Sequence, residues 1–500
     1  MDSQAKARFC GDSDGSRSTG SDPTLAPLIV DLDGTLTATD TLIESIVGLF
    51  KRNPLVALTG LFRLAKGRAA FKEYFASKVD LSVERLPYRM PVLAFLHTEK
   101  AKGRRLILAT SAHQKIAAAV AIHLGVFDDV LASDGAHNLK GAAKLEAITT
   151  RVGDRFVYAG DSEADLPIWK VAKAAVLVGV SPRVAETVRH CVPIERDFPR
   201  ESVPVAAWLR ALRVHQWAKN LLLFVPSLTA FSILRGDQAR DLVVAFFSFC
   251  LAASATYIVN DVWDLDSDRA HPRKRNRPIA SAQVPVVQAM TMASGALAIA
   301  LILAATVSRD FIGMMILYLA LTSAYSLVLK EYTVLDVLTL SLLYTLRVLA
   351  GSVVVAITTS SWLLAFSMFI FFSLALVKRC AELVSLGQSG RDAPHGRDYR
   401  IDDLVVLWPL GVGSALCAVV VFGLFISAAE TQARYASPRL LWFVAIGLIY
   451  WLSRMWIKSA RGEMHDDPLV FAVQDLGSRM TMLITISLTL VAHFIDIGLP

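Results

Sequence analysis

The sequence has few cysteines, and their positions show no pattern. Its five cysteines include no close pair and no spacing typical of a metal site. This argues against a disulfide framework and favours a reduced, cytoplasmic setting for any soluble domain. They are Cys10, Cys191, Cys250, Cys380 and Cys417.

An apolar stretch of the kind found in secretory signals is also missing from the start of the sequence. The first ~24 residues are rich in Ser, Gly, Asp and Lys instead. Because such a composition buries too little apolar surface to fold, we expect residues 1–24 to form a disordered tail.

Charged residues are scarce, at 19% against 54% hydrophobic residues, and the mean hydropathy is +0.48. This is too apolar for an ordinary soluble protein, and 500 residues allow more than one domain. The apolar excess begins at about residue 220, where segments of membrane-spanning length follow one another. We predict nine spans, of which the first contains Pro226 and is the shortest: 220–234, 242–259, 286–306, 311–329, 334–356, 361–377, 404–428, 438–456 and 480–498.

Lys and Arg are unevenly distributed among the loops between these spans. The rich loops are 260–285, 330–333, 378–403 and 457–479. By the positive-inside rule they are cytoplasmic, which predicts an inner-membrane protein with a cytoplasmic N-terminal half and an external C-terminus. The net charge of +7 is concentrated in these loops, so it indicates membrane topology and phosphorylated substrates, and we expect no nucleic-acid partner.

The segment NDVWDLDSDRAHPRKRNRPIA, residues 260–280, follows a strongly apolar span. Asp261, Asp264 and Asp268 are spaced i, i+3 and i+7, so a helix would place them on one face. Clustered carboxylates suit Mg²⁺ that also contacts substrate phosphates. A positive-inside loop would explain the cations here but not three carboxylates at the membrane edge. The cations that we predict to bind phosphate are Arg269, Lys274, Arg275 and Arg277.

This segment resembles the first aspartate-rich motif, NDxxDxxxD, of the UbiA family of membrane transferases. Family members use the motif to hold Mg²⁺ on a diphosphate substrate. The resemblance implies an all-α transmembrane bundle and a Mg²⁺ site at Asp261, Asp264 and Asp268, with Asn260 as a substrate-binding residue beside it.

Further polar residues lie beside the predicted spans, within the motifs RxxQWxKN and YSxxLK. Those that we predict to bind substrate are Lys219, Asn220, Tyr325 and Lys330. Snorkelling to the interface is an alternative for Lys219. Asp336 and Arg347 share a helix face, where they would either form a buried ion pair or line one cavity.

The loop after the sixth predicted span lacks the second acidic box, DxxxD, of UbiA prenyltransferases that act on aromatic acceptors. Lys378 and Arg379 stand there instead, and we predict that they bind phosphate. With the motifs above, this makes residues 207–500 resemble the UbiA branch that joins a polyprenyl phosphate to phosphoribose diphosphate. The sequence suggests no firm role for the later carboxylates Asp466, Asp467 and Asp475.

The N-terminal half contains a second set of motifs, which begins with LIVDLDGTLTATDT. Asp31 and Asp33 follow a short apolar strand, and an extended chain would point both carboxylates to the same side. Gly34 permits a sharp turn close to a phosphate. Three segments follow in order: LILATSA with Thr110, NLKGAAKLEA with Lys144, and FVYAGDSEADLPIW with Asp161 and Asp165.

Together these segments resemble the four motifs of the haloacid-dehalogenase (HAD) superfamily, over about residues 25–195. The resemblance implies an α/β Rossmann-like phosphatase with Asp31 as nucleophile and Asp33 as general acid and base. It also implies that Thr110 and Lys144 hold the phosphoryl oxygens while Mg²⁺ screens the repulsion between the two anions. The predicted metal ligands are Asp31, Asp33, Asp161 and Asp165.

Between Asp40 and Arg105 the sequence predicts a helical cap over this site. Its stretch SIVGLFKRNPLVALTGLFRLAKGRAAF is unusually apolar, and it either packs on the core or touches the bilayer. We therefore predict a multidomain chain. Its parts are the tail 1–24, the HAD-like domain 25–195 with its cap at about 40–105, a linker and interfacial helix at 196–219, and a nine-helix UbiA-type bundle at 220–500.

These features predict a Mg²⁺-dependent membrane enzyme that transfers phosphoribose from phosphoribose diphosphate to a polyprenyl phosphate. The fused phosphatase would then remove the 5-phosphate. One alternative is transfer of a polyprenyl group from its diphosphate to an aromatic or quinone-precursor acceptor, which the missing DxxxD disfavours. Another is a non-catalytic scaffold that senses a phosphorylated metabolite, which the complete phosphatase motifs disfavour.

Overall fold

The computed structural model describes residues 25–134, 137–231, 236–388, 397–464 and 467–497. The predicted tail, 1–24, and Asp466 lie outside this range. The chain forms two units: one comprises residues 1–207 and 261–286, the other residues 208–260 and 287–500. The aspartate-rich segment after Asn260 therefore belongs to the unit that contains the N-terminal domain.

A six-stranded parallel sheet forms the centre of the first unit, in the order β3-β2-β1-β4-β5-β6. The strands are β1 Leu28–Val30, β2 Leu106–His113, β3 Asp129–Ser133, β4 Val157–Gly160, β5 Ala174–Val178 and β6 Ile194–Phe198. The central strands β1, β4 and β5 are short, apolar and almost entirely buried, as expected where helices cover both faces of a parallel sheet. This order places the carboxyl ends of β2, β1 and β4 side by side.

Eight helices accompany the sheet. They are α1 Thr41–Arg52, α2 Pro54–Leu61, α3 Arg68–Lys78, α4 Met90–Ala101, α5 Gln114–Leu124, α6 Ala142–Val152, α7 Leu166–Trp169 and α8 Pro182–Cys191. The first four lie between β1 and β2, where the sequence predicts the cap. Asp40 begins α1 by accepting hydrogen bonds from Leu42 N and Ile43 N, and Phe75 of α3 is fully buried in a small cap core.

The remaining helices are mostly long and apolar. They are α9 Val205–Ala211, α10 Val225–Thr229, α11 Gly236–Trp263, α12 Leu265–Ala270, α13 Val286–Val307, α14 Arg309–Leu327, α15 Leu335–Val354, α16 Ser361–Gln388, α17 Leu404–Ser427, α18 Ala429–Arg434, α19 Leu441–Ala460, α20 Pro468–Gln474 and α21 Leu476–Phe494. Among the described residues, eight helices are long and apolar enough to cross a membrane. The predicted architecture of a parallel α/β domain with a helical membrane bundle is thus confirmed.

The first predicted span, 220–234, has a different form. It consists of the 3₁₀ turns Val214–Phe224 and the short helix α10, with Pro226 in the first turn of α10. These turns pack closely on α15, where a Cβ at Gly351 would lie 2.1 Å from the carbonyl oxygen of Leu223. Only glycine permits this approach, which brings Lys219 and Asn220 to the polar face of α15.

Candidate functional sites

The phosphatase motifs meet at the carboxyl ends of the central strands. Asp31 directly follows β1, and Lys144 lies in the first turn of α6. The Nζ atom of Lys144 is 2.8 Å from Asp31 Oδ2 and donates a hydrogen bond to Tyr158 Oη at 3.0 Å. Lys144 is almost fully buried, so its ammonium group is held against the carboxylate that is predicted to be the nucleophile.

Three carboxylates converge at this place. Oxygens of Asp31, Asp161 and Asp165 all lie within 4.8 Å of one another. Burial, followed by the charge of Asp31, raises the pKa of Asp161 to about 7, and burial also raises that of Asp31. A bound divalent cation would offset this repulsion, and an all-oxygen donor set suits Mg²⁺. The residues present therefore fit the predicted metal.

Asp165 is further fixed by a residue that the sequence did not single out. Tyr158 Oη donates to Asp165 Oδ1 at 2.8 Å while it accepts from Lys144. The second oxygen, Asp165 Oδ2, accepts from the backbone N of Asp161 and of Ser162 at 3.3 Å. Tyr158 stands in β4 within an apolar run, so its spacing gave no sign of this role.

Asp33 is placed differently from the other carboxylates. A turn follows β1, so Asp31 and Asp33 do not lie on one extended strand, contrary to prediction. Asp33 is not part of the three-carboxylate group, and its Oδ1 accepts a hydrogen bond from Thr41 N at 2.9 Å. Burial, followed by the charge of Asp40, raises the pKa of Asp33 to about 7. This pKa suits a general acid and base better than a metal ligand.

Gly34 and Thr110 complete the site. Gly34 has φ +79°, and a Cβ there would lie 2.1 Å from Asp161 Oδ2, so only glycine lets the turn pass this carboxylate. Thr110 lies in β2, fully buried, and its hydroxyl accepts from Ala112 N at 3.0 Å. The hydroxyl hydrogen can thus point towards a phosphoryl oxygen.

A cavity of about 220 Å³ opens beside Asp33, between the cap and the core. Lys72 of α3 reaches into it, and its Nζ donates to Ser111 O at 2.7 Å and to Asn138 Oδ1 at 3.1 Å. Both acceptors are neutral, and burial lowers the pKa of Lys72. The other polar groups that line the cavity are Asp33, Asp40, Thr41, Ser45, His113 and Lys140.

The aspartate-rich segment does not form one continuous helical face, contrary to prediction. Helix α11 ends at Trp263 and α12 begins at Leu265, so the chain bends at Asp264. The Nη1 atom of Arg277 lies 3.0 Å from Asp261 Oδ1 and 2.5 Å from Asp268 Oδ2. Two of the three carboxylates therefore converge on one cationic position, which fits a metal-binding segment.

Arg269 has a carboxylate partner from the N-terminal domain. Its Nη1 and Nη2 atoms bind the two oxygens of Glu44 in α1 at 3.0 Å and 2.7 Å, and its Nε donates to Ala280 O at 3.0 Å. The two side chains are only 6% and 2% exposed. Arg269 was predicted to bind phosphate, but in the structure its guanidinium forms an ion pair with Glu44. Lys274 and Arg275 of the same segment are exposed.

In the second unit, two lysines predicted to bind phosphate meet at one carboxylate. Lys219 Nζ lies 2.7 Å and Lys378 Nζ lies 3.4 Å from Asp467 Oδ2. Tyr344 Oη donates to the same oxygen at 3.0 Å. We call Lys219, Lys378, Tyr344 and Asp467 the lysine cluster. The sequence suggested no role for Asp467 and did not single out Tyr344, because these partners come from distant parts of the chain.

The other polar residues of this unit are held in neighbouring networks. In one network, Arg347 Nε donates to Asn220 Oδ1 at 2.9 Å, and Arg347 Nη2 donates to Tyr318 Oη at 3.2 Å. In the other, Tyr325 Oη donates to Asp336 Oδ1 at 2.9 Å.

Asp336 also pairs with the fully buried Arg379. The predicted alternative of an ion pair between Asp336 and Arg347 is wrong, because each has its own partners; the alternative that both line one cavity stays a prediction. Lys330 is half-buried in the turn Leu329–Glu331.

The fold and sites define a membrane-embedded protein with a phosphatase-like α/β domain. Residues 223–473 match the model of the UbiA prenyltransferase family, and residues 28–170 match that of the haloacid dehalogenase-like hydrolases. The chain belongs to the UbiA family, and its N-terminal domain is HAD-like.

The relatives match different shares of this chain. Protein y4nM of Sinorhizobium fredii is 39% identical over 464 residues, which cover 90% of this chain and 88% of that protein. Nodulation protein NoeC of Azorhizobium caulinodans is 33% identical over 294 residues, 58% of this chain and 94% of that protein. Decaprenyl-phosphate phosphoribosyltransferase of Mycolicibacterium smegmatis is 37% identical over 227 residues, 44% of this chain and 70% of that enzyme.

Proposed function

We propose that the membrane domain transfers phosphoribose from phosphoribose diphosphate to a polyprenyl phosphate. The observation that carries this proposal is the lysine cluster. Two ammonium groups share one carboxylate, so the cluster has an excess positive charge, and one of its lysines, Lys378, stands where UbiA enzymes with aromatic acceptors have acidic residues. An uncompensated cation is costly at low dielectric, and a lipid phosphate would supply the missing anion.

The reaction is a displacement at the anomeric carbon of the ribose. A phosphate oxygen of the lipid forms a bond to that carbon while the bond to the diphosphate oxygen breaks, and the diphosphate leaves as an anion. Asp261, Asp264 and Asp268 would hold Mg²⁺, which offsets the diphosphate charge when bound. Arg275, Lys274 and Lys330 carry the remaining cationic charge that we assign to the donor, while Lys219 and Lys378 orient the acceptor.

The product of this step still has a phosphate on its 5-hydroxyl, and we propose that the HAD-like domain removes it. The Asp31 carboxylate attacks phosphorus, Asp33 protonates the departing ribose oxygen, and water then hydrolyses the aspartyl phosphate. Lys144 and Thr110 bind the phosphoryl oxygens. The cavity around Lys72 supports a substrate with a second anionic group, such as the phosphodiester that joins ribose to the lipid.

Both sites must face the compartment that supplies phosphoribose diphosphate. The Lys- and Arg-rich loops support a cytoplasmic location for the N-terminal domain and an external C-terminus in the inner membrane.

Incubation of purified enzyme with labelled phosphoribose diphosphate and polyprenyl phosphate tests the transfer. We expect the label in the lipid extract with wild-type protein, and a loss of at least ~100-fold with Asp261→Asn, because an amide binds Mg²⁺ poorly. Asp266→Asn is the matched control, since Asp266 lies in the same segment but is exposed. Transfer of a prenyl group to an aromatic acid, without use of the sugar, would replace our choice of substrates.

A further inference from the structure

The cap has an exposed apolar surface. Five residues of α2 and the turn after it, which we call the cap apolar surface, have large exposed fractions: Leu55 76%, Leu58 46%, Leu61 55%, Phe62 80% and Leu64 55%. Isolated exposed apolar residues are common, but five within ten positions form a patch of the kind that marks an interaction site.

This surface is not the core-facing side of α2. The opposite side packs inward through Ala57 and Gly60, where a Cβ at Gly60 would lie 2.7 Å from Phe75. Helix α2 is thus apolar on both sides, although only one side is covered by the described residues. Something outside the domain must cover the other side, because a soluble helix usually presents polar residues there.

The charges around the patch identify the partner. Between Ser45 and Lys72 the sequence has six Lys or Arg residues and no Asp or Glu. Lys51 and Arg52 end α1 and are exposed, and Arg63 is exposed within the patch, where its guanidinium lies 5.5 Å from the centre of the Tyr74 ring. Apolar residues interspersed with cations are typical of surfaces that lie at the headgroup level of an anionic bilayer.

We propose that the cap apolar surface inserts into the surface of the membrane that the chain's own helices span. The bilayer is available at every moment to a protein with eight membrane-length helices, whereas a second protein would have to be recruited. The cap that carries this surface also lines the phosphatase cavity through α1 and α3, so the contact would bring that cavity near the lipid headgroups. A lipid-linked phosphate then reaches Asp31 without leaving the membrane; this consequence, but not the contact, rests on the proposed function.

Probe accessibility in nanodiscs tests the contact without any substrate. Phe62→Cys would be spin-labelled in full-length protein in which Cys10 and the exposed Cys191 and Cys417 are replaced by serine. The matched control is Ile122→Cys, which is 65% exposed in the same domain but outside the patch. We expect the label at 62 to be protected from a water-soluble relaxation agent and accessible to oxygen, and the label at 122 to be accessible to both.

Equal exposure of both labels to water would overturn the proposal. So would protection from both agents with dipolar broadening between labels, because that result indicates a second copy of the chain. Anionic nanodiscs should protect the label at 62 more than zwitterionic ones do, because of the basic flank.

A kinetic test examines the consequence. The double variant Leu55→Ser/Phe62→Ser should lower kcat/KM about tenfold for a lipid-linked phosphate monoester and leave p-nitrophenyl phosphate hydrolysis unchanged. Equal loss on both compounds would indicate a damaged domain. If the lipid-linked compound is no substrate of the wild type, the proposed function fails, while the spin-label result still decides the membrane contact.

Discussion

Lys72 is the residue whose position says most about the phosphatase substrate. Its ammonium group reaches the cavity beside Asp33 and contacts only neutral acceptors there, Ser111 O and Asn138 Oδ1. Lys72→Gln should therefore raise KM about tenfold for a phosphate monoester with a second anionic group, and should leave kcat nearly unchanged. Parallel assays with ribose 1,5-bisphosphate and p-nitrophenyl phosphate measure the difference.

The control for that variant is Lys170→Gln, since Lys170 is exposed and lies outside the cavity. An equal change of KM for both compounds would show that Lys72 does not select for charge.

In the membrane domain, Asp467 is the residue whose position bears most directly on the proposed lipid acceptor. It separates Lys219 and Lys378 and compensates for one of their charges. Asp467 accepts hydrogen bonds from both ammonium groups and fixes their positions, so we expect Asp467→Asn to misplace them and to raise KM for polyprenyl phosphate at least ~10-fold while KM for phosphoribose diphosphate stays nearly constant. Initial-rate measurements with each substrate varied in turn check this. Asp402→Asn, an exposed carboxylate, should change neither constant.

At the residue scale the sequence predicted the cluster of phosphatase residues better than it predicted the partners of the cations. Asp31, Lys144 and Asp161 follow buried strands or begin a helix, so the parallel sheet alone brings them together. Arg269 was assigned to phosphate because it lies within the diphosphate motif's segment, and Arg379 because it stands in place of the second acidic box. Their carboxylate partners, Glu44 and Asp336, are distant in the chain, and no spacing in the sequence identifies such pairs.

Among the elements, α1 and α12 are joined by the buried pair of Glu44 and Arg269. Glu44 also accepts from Thr39 Oγ1 at 2.7 Å, and the first residue of α1, Thr41, donates its N–H to Asp33. Glu44→Gln leaves a buried guanidinium without its counter-charge, which costs about 3–5 kcal/mol in such pairs. We expect faster hydrogen exchange in residues 41–52 and 261–286, measured by mass spectrometry.

Glu186→Gln makes the same chemical change at an exposed position of α8 and should leave both segments as in wild type. Unchanged exchange in Glu44→Gln would mean that the pair does not hold α12 in place.

At the scale of helices, apolar runs and residue spacing predicted most of the membrane spans but not their breaks and bends. Eight spans could be predicted because a long apolar run at membrane length has few other solutions. The prediction of the first span as one helix was wrong, because Pro226 and the close contact at Gly351 favour short turns there. The bend at Asp264 was also missed, since the i, i+3, i+7 spacing assumes an unbroken helix.

For the whole molecule, the decisive question is whether the two activities form one sequence of reactions. Asp31→Asn keeps the size of the side chain but removes the nucleophile, so lipid-linked phosphoribose should still form and should retain its 5-phosphate. Wild-type protein should instead release inorganic phosphate in step with transfer. Mass spectrometry of the extracted lipid distinguishes the two products by one phosphate group. The control is Asp154→Asn, because Asp154 is exposed and lies just after the end of α6. This variant should give the wild-type product.

The result also separates the two halves of the proposal. If wild-type protein and Asp31→Asn give the same phosphorylated lipid, the phosphatase acts on another compound and the transferase assignment is unaffected. If neither protein labels the lipid, the transferase assignment fails, and the three-carboxylate site at Asp31, Asp161 and Asp165 still predicts a Mg²⁺-dependent phosphatase. Removal of Mg²⁺ by a chelator should then abolish hydrolysis of p-nitrophenyl phosphate, because the nucleophile and the phosphate are both anions and Lys144 alone leaves most of their repulsion unscreened.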